Sequence, residues 1–509
     1  MATAAAVTEP VQAEYLSYWV TSSGGAKYPT ASGDLECDVA VVGGGIVGVT
    51  AALTLQRAGA RVALIEARHI GAGATGYTTA KVTSLHGTIY QQLTGKYGDE
   101  LARAYGAMNQ AGLEAVAGHV DLLGIDCDFR RKPHLTIALD DSDRTRVEEE
   151  ARTAKDLGLP ASFVEGVGEL PLEVAGAVQF SDQAEFHPLK YLSALTEAAA
   201  GEGCQVYEGS RVISVDEGDP CKLETAGGAT VTAGRVVLAT HLPIGDHGFF
   251  SVRNHPERSY ALLVRLAGEV PQGMYLSTES PAHTMRPVRT EEGERFLIGG
   301  EAHRPGEGRD AERFARLEDW AREKFEVASV EHRWATHDHL PNDLLPFIGR
   351  ASPFSDRVLA VTGLRKWGLA VGTAAARVIS DRIHGRDNPW SDTFDPIRLH
   401  PIAGGPSFLK HAASSARHLA VDRVVKRGSA EDLAPGEGAI VGSGLGQHAA
   451  YRDEAGTLHS LSARCTHMGC IVNFNDAERT WDCPCHGSRF NTDGEVIEGP
   501  AVKDLEKRD

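Results

Sequence analysis

Two short boxes of cysteine and histidine constrain this 509-residue sequence more than any other feature. The first reads Cys465-Thr466-His467-Met468-Gly469-Cys470 and the second reads Cys483-Pro484-Cys485-His486-Gly487-Ser488. Each box offers one thiolate and one imidazole to a shared metal centre. Two cysteines and two histidines are the ligands of a [2Fe–2S] cluster in which histidines replace the cysteines on one iron. A structural zinc site can use the same ligands, but it usually pairs its cysteines in one half and its histidines in the other. The pattern therefore favours the cluster.

The sequences of the two boxes resemble those of Rieske proteins of the cytochrome bc type. The resemblance implies four cluster ligands and one disulfide bond, namely Cys465, His467, Cys483 and His486 as ligands and Cys470 paired with Cys485. It also implies that Ser488 donates a hydrogen bond to a cluster sulfur and that the segment 499–501 covers the cluster. Quinol-oxidising relatives have a tyrosine where this sequence has Phe490. Fewer hydrogen bonds to a cluster lower its reduction potential, so we expect a potential below theirs.

Length and charge exclude several classes of protein. The length predicts two or three domains. The formal net charge of −18 argues against nucleic acid or an anionic membrane as the main partner, because both attract basic surfaces. We expect no transmembrane segment and find no export signal in the first thirty residues. Four cysteines outside the boxes are scattered and predict the free thiols of a cytoplasmic protein: Cys37, Cys127, Cys204 and Cys221.

A dinucleotide-binding pattern begins after residues 1–35, which predict an extended arm packed on the body through its aromatic side chains. A short β-branched run, a glycine-rich turn, a helix-period segment and a second strand follow each other and end on Glu66. This order is that of a βαβ unit with the G-x-G-x-x-G turn. In such a unit Gly43 makes the tight turn, Gly45 lets the backbone approach a pyrophosphate, and Gly48 lets helix and strand pack closely. Glu66 accepts hydrogen bonds from a ribose.

A second loop of small residues, 71–81, follows Glu66 and favours FAD over NAD, because such residues permit close backbone approach by a ligand. Here the sequence resembles flavoproteins of the glycine oxidase and D-amino-acid oxidase type. The resemblance spans residues 36–390 and includes Asp343-Leu344-Leu345-Pro346-Phe347-Ile348-Gly349 and a glycine turn before a long helix. It implies non-covalently bound FAD that contacts Thr75, Thr79, Val212, Gly363 and Gly368.

The predicted fold class is an α/β FAD-binding Rossmann-like domain with an antiparallel α+β substrate domain, plus a C-terminal all-β Rieske domain. We expect the FAD-dependent oxidoreductase domain over residues 36–390, with substrate-domain insertions at about 100–180 and 245–330. The proline-containing stretch 391–415 predicts a linker. Short alternating strands then predict the Rieske domain over residues 416–509.

The flavoprotein resemblance implies oxidation of a small amine or amino acid, with hydride transfer to flavin and hydrolysis of the imine. Lys366 is a candidate for stabilising charge on reduced flavin, although it could equally be an exposed loop lysine. Arg258 and Tyr260 are candidates for binding a substrate carboxylate. His337, where the chain approaches the flavin, is a candidate base. Other residues compete for these roles, namely Arg253, Arg286, Arg289, His86 and Tyr90.

The cluster predicts single-electron transfer from flavin to an external protein, with solvent-exposed His467 and His486 as the exit. This makes the protein a dehydrogenase more than an oxidase. Two alternatives remain open: an amine oxidase that uses O₂, and an electron-transfer module in which a reductase feeds electrons towards the flavin. A Rieske oxygenase is disfavoured, because that class needs a second iron site with two histidines and a carboxylate, and the sequence offers no convincing candidate.

Overall fold

The computed structural model describes residues 11–24, 27–246, 248–398, 428–442 and 446–508. Its helices in chain order are α1 Tyr18–Thr21, α2 Ile46–Arg57, α3 Ile89–Tyr97, α4 Asp99–Leu123, α5 Asp141–Asp156, α6 Pro188–Gly201, α7 Phe250–Arg253, α8 Asp310–Lys324 and α9 Gly368–Ile383. Its strands are β1 Asp34–Val42, β2 Val62–Ile65, β3 Lys81–Val82, β4 Arg130–Ala138, β5 Ala161–Val164, β6 Gly176–Glu185, β7 Gln205–Tyr207, β8 Val212–Asp216, β9 Cys221–Thr225, β10 Thr230–Leu238, β11 Asn254–Leu266, β12 Met274–Ser277, β13 Thr284–Thr290, β14 Gly293–His303, β15 Val327–Pro341, β16 Phe347–Arg350, β17 Val358–Thr362, β18 Gly438–Val441, β19 His448–Arg452, β20 Leu458–Ser462, β21 Asn473–Asn475, β22 Thr480–Asp482, β23 Arg489–Phe490 and β24 Val496–Glu498. Residues 391–398, the start of the predicted linker, do not form a linker, because Phe394 is fully buried in the core around the first sheet. The rest of the predicted linker and the start of the predicted Rieske domain, residues 399–427, lie outside the described residues.

The first sheet contains the strands that the dinucleotide pattern predicts. Its order is β16-β17-β10-β1-β2-β7, and β1 runs parallel to both β10 and β2. Residues 39–42 and all of β2 are buried, as strands covered on both faces require. One hydrophobic core joins these strands with helices α2, α4, α6 and α9. The sheet therefore presents the turn between β1 and α2 at the carboxyl ends of parallel strands, where ligands bind in such folds.

The second sheet has nine strands, ordered β15-β11-β14-β13-β12-β4-β6-β3, with β5 paired to β6. Neighbouring strands are antiparallel except β12 and β4, which are parallel. Helix α8 packs on this sheet through its buried apolar residues Phe314, Leu317 and Ala321. We call the described residues 27–398, which contain both sheets, the main body.

The described residues from 428 onward form two small antiparallel sheets, β18-β19-β20 and β21-β22-β23-β24. The first cysteine–histidine box follows β20, and the second joins β22 to β23. A separate core that includes Trp481 and Phe490 holds the sheets together. The predicted fold class is confirmed.

Residues 11–24, part of the predicted arm, pack Trp19 into the main core, but their backbone is not extended throughout. They form a 3₁₀ turn, Ala13–Tyr15, and the one-turn helix α1. The buried Trp19 donates from its indole Nε1 to the Thr78 carbonyl at 2.7 Å.

Among the described residues, no helix combines the length and apolar character that a membrane crossing requires.

Candidate active site and cluster site

A cavity of about 1220 Å³ lies where the glycine turn of the first sheet faces the second sheet. Its wall includes the turn and loops 43–47 and 66–79, the turn before α9, strands of the second sheet, and residues within 497–502 of the C-terminal module. Pockets for small organic ligands usually measure about 300–1,000 Å³. The cavity therefore has room for a dinucleotide together with a small substrate.

The glycine turn fits a pyrophosphate. A Cβ at Gly43 would overlap the carbonyl of Ala239, and a Cβ at Gly48 would overlap the carbonyl oxygen of Gly43. Gly45 gives α2 no side-chain cap of its own and lines the cavity, and among the described residues only the first N–H of α2, that of Ile46, donates to a side chain near the turn, the Thr75 hydroxyl. Uncapped N–H groups at a helix N-terminus bind phosphate oxygens. The turn thus offers a backbone cradle that only glycine can form.

The other predicted cofactor contacts in this half lie along the cavity wall. Glu66 accepts backbone N–H donors from Gly44 at 2.6 Å and from Arg68 at 2.8 Å, which fixes its carboxylate at the end of β2. The Thr75 hydroxyl accepts from the Ile46 N–H at 3.1 Å. Thr79 and Val212 also line the cavity.

The turn before α9 brings Lys366 and Gly368 to the cavity, whereas Gly363 lies behind its wall. Gly363 has a φ of +71°, and a Cβ there would lie 2.9 Å from Asn254 Oδ1, so its role is in the turn itself. The Lys366 ammonium donates to Glu257 Oε1 at 2.6 Å and to Ser259 Oγ at 2.8 Å. Its predicted role beside the flavin stays a prediction.

The structure does not place Arg258 in the cavity. Its side chain is fully buried, with Nε 2.9 Å from Asp310 Oδ1 and with Glu478 on its Nη2. Tyr260 lines the cavity with its ring, but its hydroxyl donates to Asp310 at 2.5 Å. Both polar groups therefore bond to carboxylates that do not line the cavity. The competing arginines, Arg253, Arg286 and Arg289, do not line the cavity either, whereas five others do: Arg68, Arg211, Arg313, Arg316 and Arg365.

His337 lies on the cavity wall within a histidine group that the sequence did not reveal. The ring nitrogens of His241, His337 and His339 lie within 4.8 Å of one another. His241 faces Asp338 Oδ1 at 2.8 Å and Glu498 Oε1 at 3.3 Å. Burial alone would lower the pKa of His241, but the two carboxylates outweigh it and raise the pKa to about 10. Burial lowers the pKa of His337 to about 4. These side chains form a charge network between the cavity and the C-terminal module.

A buried lysine at the cavity was missed in the sequence. Lys81 lies at the end of the small-residue loop, and its Nζ is 3.0 Å from the Tyr275 carbonyl and 3.2 Å from His134 Nε2. Burial, with a smaller effect of the nearby Arg286, lowers the pKa of Lys81 to about 7. Close by, the ring of His86 stacks on Trp367 at 4.4 Å. The only sequence signal was a charged residue in a loop otherwise poor in charge.

The two boxes come together at one end of the C-terminal module. Cys470 and Cys485 form the disulfide that the resemblance implied. Cys465 and Cys483 are buried free thiols, and the rings of His467 and His486 lie 5.0 Å apart. His486 Nδ1 is buried and has no hydrogen-bond partner among the described residues. Thiolate sulfur and imidazole nitrogen are the donors that a Rieske cluster requires, so the four predicted ligands fit it.

The two histidines of the boxes differ in exposure. His486 is only 6% exposed, so the prediction that both histidines face solvent is wrong for this one. The reason is that the loop Cys483–Ser488, which we call the cluster loop, packs against the main body. A Cβ at Gly487 would lie 2.9 Å from His337 Nε2 and 3.2 Å from Pro256 Cβ. His467 is half-buried, and its neighbour Met468 is 48% exposed.

The same module also contributes to the cavity. Residues within 497–502, which we call the covering loop, line the cavity together with the glycine turn. Arg211 of the main body donates to the Val496 carbonyl at 2.8 Å and anchors the start of this loop. At its other end, the Ala501 N–H donates to Ser488 Oγ at 3.0 Å, beside the cluster loop. The covering loop therefore touches both the cavity and the cluster site.

Comparisons with known proteins agree with both sites. Residues 38–382 match the family model described as FAD dependent oxidoreductase (DAO), and residues 424–508 match the Rieske [2Fe-2S] domain. The chain is 35% identical over 496 residues, 97% of either chain, to a putative Rieske 2Fe-2S iron-sulfur protein, YhfW, of Bacillus subtilis (strain 168). It is 26% identical to the gamma-glutamylputrescine oxidoreductase of Escherichia coli (strain K12), over 76% of this chain and 93% of that one. Its structure resembles glycine oxidase from Geobacillus kaustophilus with a TM-score of 0.62 at 19% identity, covering 72% of this chain and 99% of that one.

Proposed function

We propose that this chain, which belongs to the family of FAD-dependent oxidoreductases and carries a Rieske [2Fe–2S] domain, oxidises a C–N bond of a small amine or amino acid. It passes the electrons one at a time to an external acceptor. FAD supplies a two-electron acceptor in the cavity, and the cluster supplies a one-electron carrier at the boxes. Oxidation of the amine to an imine releases two electrons and two protons. Water hydrolyses the imine, and two acceptor molecules each take one electron.

The observation that carries this proposal is the shared wall between the cavity and the cluster site. The covering loop lines the cavity, and the cluster loop packs on His337, which also lines the cavity. A carrier that only exchanged electrons with other proteins would not need its inner ligand buried against a flavin site. The buried His486 thus supports electron entry from the cavity, and the half-buried His467 supports electron exit.

The chain's own residues divide the work in the cavity. The glycine turn and the start of α2 would hold the pyrophosphate of FAD, and Glu66 would hold its ribose. The apolar side chains of Ile497 and Val502 in the covering loop close part of the cavity wall to water. Lys81 takes the place of Arg258 as the candidate for a substrate carboxylate. A buried amine whose pKa is lowered to about 7 gains a proton readily when an anion binds beside it.

The acceptor is a protein that docks beside His467, where Met468 offers an exposed apolar contact. We also propose that the protein works in the cytoplasm. Outside the boxes its cysteines are buried free thiols, as a reducing compartment favours. The relative that oxidises gamma-glutamylputrescine, by its name, supports an amine or amino-acid derivative as the substrate class.

The test is an anaerobic titration of the full-length protein against a panel of amines and amino acids. Flavin absorbance reports the first step, and electron paramagnetic resonance (EPR) of the reduced cluster reports the second. We expect at least one compound to bleach the flavin and then to produce the reduced Rieske signal. A Cys483→Ser variant lacks the cluster, so when it is supplied with excess FAD its flavin should still bleach but no EPR signal should appear. A Lys81→Met variant should lose the amino acids of the panel before the amines.

Other outcomes would contradict the proposal. Fast peroxide formation in air, with the cluster left oxidised, would instead support an amine oxidase that uses O₂. If no amine bleaches the flavin, but a reduced carrier protein fills the cluster and then the flavin, electrons run inward.

A further inference from the structure

A cluster of five charged side chains, the arginine clamp, joins the main body to the Rieske domain: Arg258, Asp310, Glu478, Asp482 and Arg489. Arg258 contacts Asp310 at 2.9 Å, pairs with Glu478, and lies 4.0 Å from Asp482 Oδ2. From the other side, Arg489 pairs with the same Glu478 and lies 3.2 Å from Asp482 Oδ1. One arginine of each domain therefore shares two carboxylates of the Rieske domain.

The clamp is cut off from solvent. The side chains of Arg258, Asp310, Glu478 and Asp482 are at most 3% exposed, and that of Arg489 is 7% exposed. Asn475 Nδ2 adds a hydrogen bond to Asp482 at 3.1 Å. Buried charges are weakly screened by salt, and removing one partner leaves another charge uncompensated. The clamp therefore favours a single docked arrangement over partly separated ones.

The clamp lies in register with the contact between cavity and cluster. In the second sheet, Arg258 of β11 is the cross-strand partner of His337 of β15. Two residues earlier on β11, Pro256 packs against Gly487 of the cluster loop. In the Rieske domain, Asp482 and Arg489 are themselves paired across β22 and β23, the two strands that the cluster loop connects. Fixing Arg258 on these strands thus fixes His337 against the cluster loop.

We propose that Arg258 is a positioning residue that holds the Rieske domain stationary on the main body, so that electrons cross between cavity and cluster without a domain movement. The inference rests on the proposed function only in that electrons cross this boundary, and it does not depend on the substrate. With FAD in the cavity and the cluster on the two boxes, each crossing would oxidise the flavin by one electron and reduce the cluster by one electron. An external acceptor would take that electron from the cluster before the second one follows.

The test uses full-length protein with both cofactors and light, so that no substrate is needed. Under anaerobic conditions, illumination with EDTA as the electron donor reduces the bound flavin, and rapid-freeze EPR follows reduction of the cluster. An Arg258→Met variant is expected to slow cluster reduction at least about tenfold, while flavin photoreduction and the shape of the Rieske signal stay unchanged. Wild-type rates in this variant would overturn the proposal.

The matched control is a second ion pair across the same boundary. Arg309 Nε lies 2.9 Å from Asp476 Oδ2, but the arginine side chain is 69% exposed. Exposed pairs contribute little to stability, so Arg309→Met should transfer electrons at the wild-type rate. An equal slowing in both variants would show a general effect of interface charge and would count against the role of Arg258.

Two further experiments cover a failure of Arg258→Met to fold. The double variant Arg258→Met, Glu478→Gln removes one charge of each sign, and we expect it to fold and still transfer slowly; a wild-type rate here also refutes the role. The second keeps every clamp residue and introduces a protease site into residues 399–415, the part of the predicted linker that follows the main body. After cleavage the two parts should co-elute in gel filtration even at about 1 M salt, whereas separation would overturn the stationary arrangement. A failed amine panel would leave all these results unaffected.

Discussion

Substitution of Gly487 tests the contact between the cluster loop and the main body. Gly487 has a φ of +77°, and an added Cβ would lie 2.9 Å from His337 Nε2, closer than real side chains approach. The left-handed backbone alone costs about 1–2 kcal/mol for a residue with a Cβ. Overpacking against a buried ring adds about 1–3 kcal/mol. We therefore expect Gly487→Ala to destabilise the docked Rieske domain by about 2–5 kcal/mol.

The control separates these two contributions. Gly456 lies in a turn of the same domain with a φ of +88°, and nothing would lie within 4 Å of its Cβ. Gly456→Ala should therefore cost only the backbone part, about 1–2 kcal/mol. The assay is denaturant unfolding of the full-length protein, followed by the visible absorbance of the cluster and compared between variants.

A double-mutant cycle then assigns the overpacking to one ring. His337→Ala removes the atom nearest to the added Cβ, so it should recover on the order of 1 kcal/mol of the Gly487→Ala loss but none of the Gly456→Ala loss. If Gly487→Ala costs no more than Gly456→Ala, or if His337→Ala recovers nothing, the cluster loop does not pack on the main body as described.

Three further predictions concern the cavity wall and the cluster site. Gly48→Ala should lose FAD, because its Cβ would overlap the Gly43 carbonyl, whereas Gly118→Ala, with nothing within 4 Å, should keep it; the ratio of flavin absorbance to protein decides. The folded-state pKa of His241 is raised from 6.5 to about 10. The ion pairs of protonated His241 therefore stabilise the folded protein fully below pH 6.5, and this stabilisation is lost as the pH rises through about 10. The stability difference between wild type and His241→Gln, on the order of 1–3 kcal/mol, should therefore shrink across that range in denaturant titrations, and a constant difference would contradict the ion pairing. Replacing both Cys470 and Cys485 by serine removes a disulfide bond between residues 15 apart and should lower the stability of the Rieske domain by about 3 kcal/mol. The Rieske signal should then be lost at a lower temperature, and an unchanged melting curve would argue against a stabilising disulfide.

Features carried by a few adjacent residues were predictable from the sequence. The glycine turn works through backbone geometry within six residues, and each box holds its ligands within a single loop. The disulfide followed from the resemblance, because the boxes matched a known pattern residue by residue. Local patterns of this kind survive in the folded chain since they depend little on distant packing.

Features that depend on domain docking were not predictable. We predicted that Arg258 binds substrate because its partner in the structure, Glu478, lies 220 residues away in the sequence and belongs to no recognisable motif. The burial of His486 accompanies the packing of its neighbour Gly487 on β11 and β15, and no pattern near the boxes predicts that packing. In the histidine group, His337 and His339 are two residues apart in the sequence, and residues so spaced share one face of a strand. Their meeting with His241 and Glu498 needed the fold.

The covering loop has a consequence for how the protein matures in the cell. The ribosome completes the glycine turn long before it reaches residues 497–502, and domains fold as they emerge. FAD can therefore enter an open cleft in a nascent chain, which is sealed only when the Rieske domain folds over it. Because metal centres of this kind contribute to the folding of small domains, that sealing depends on cluster assembly. Iron starvation would thus weaken FAD binding as well as cluster assembly, and cells short of iron would accumulate protein that loses its FAD.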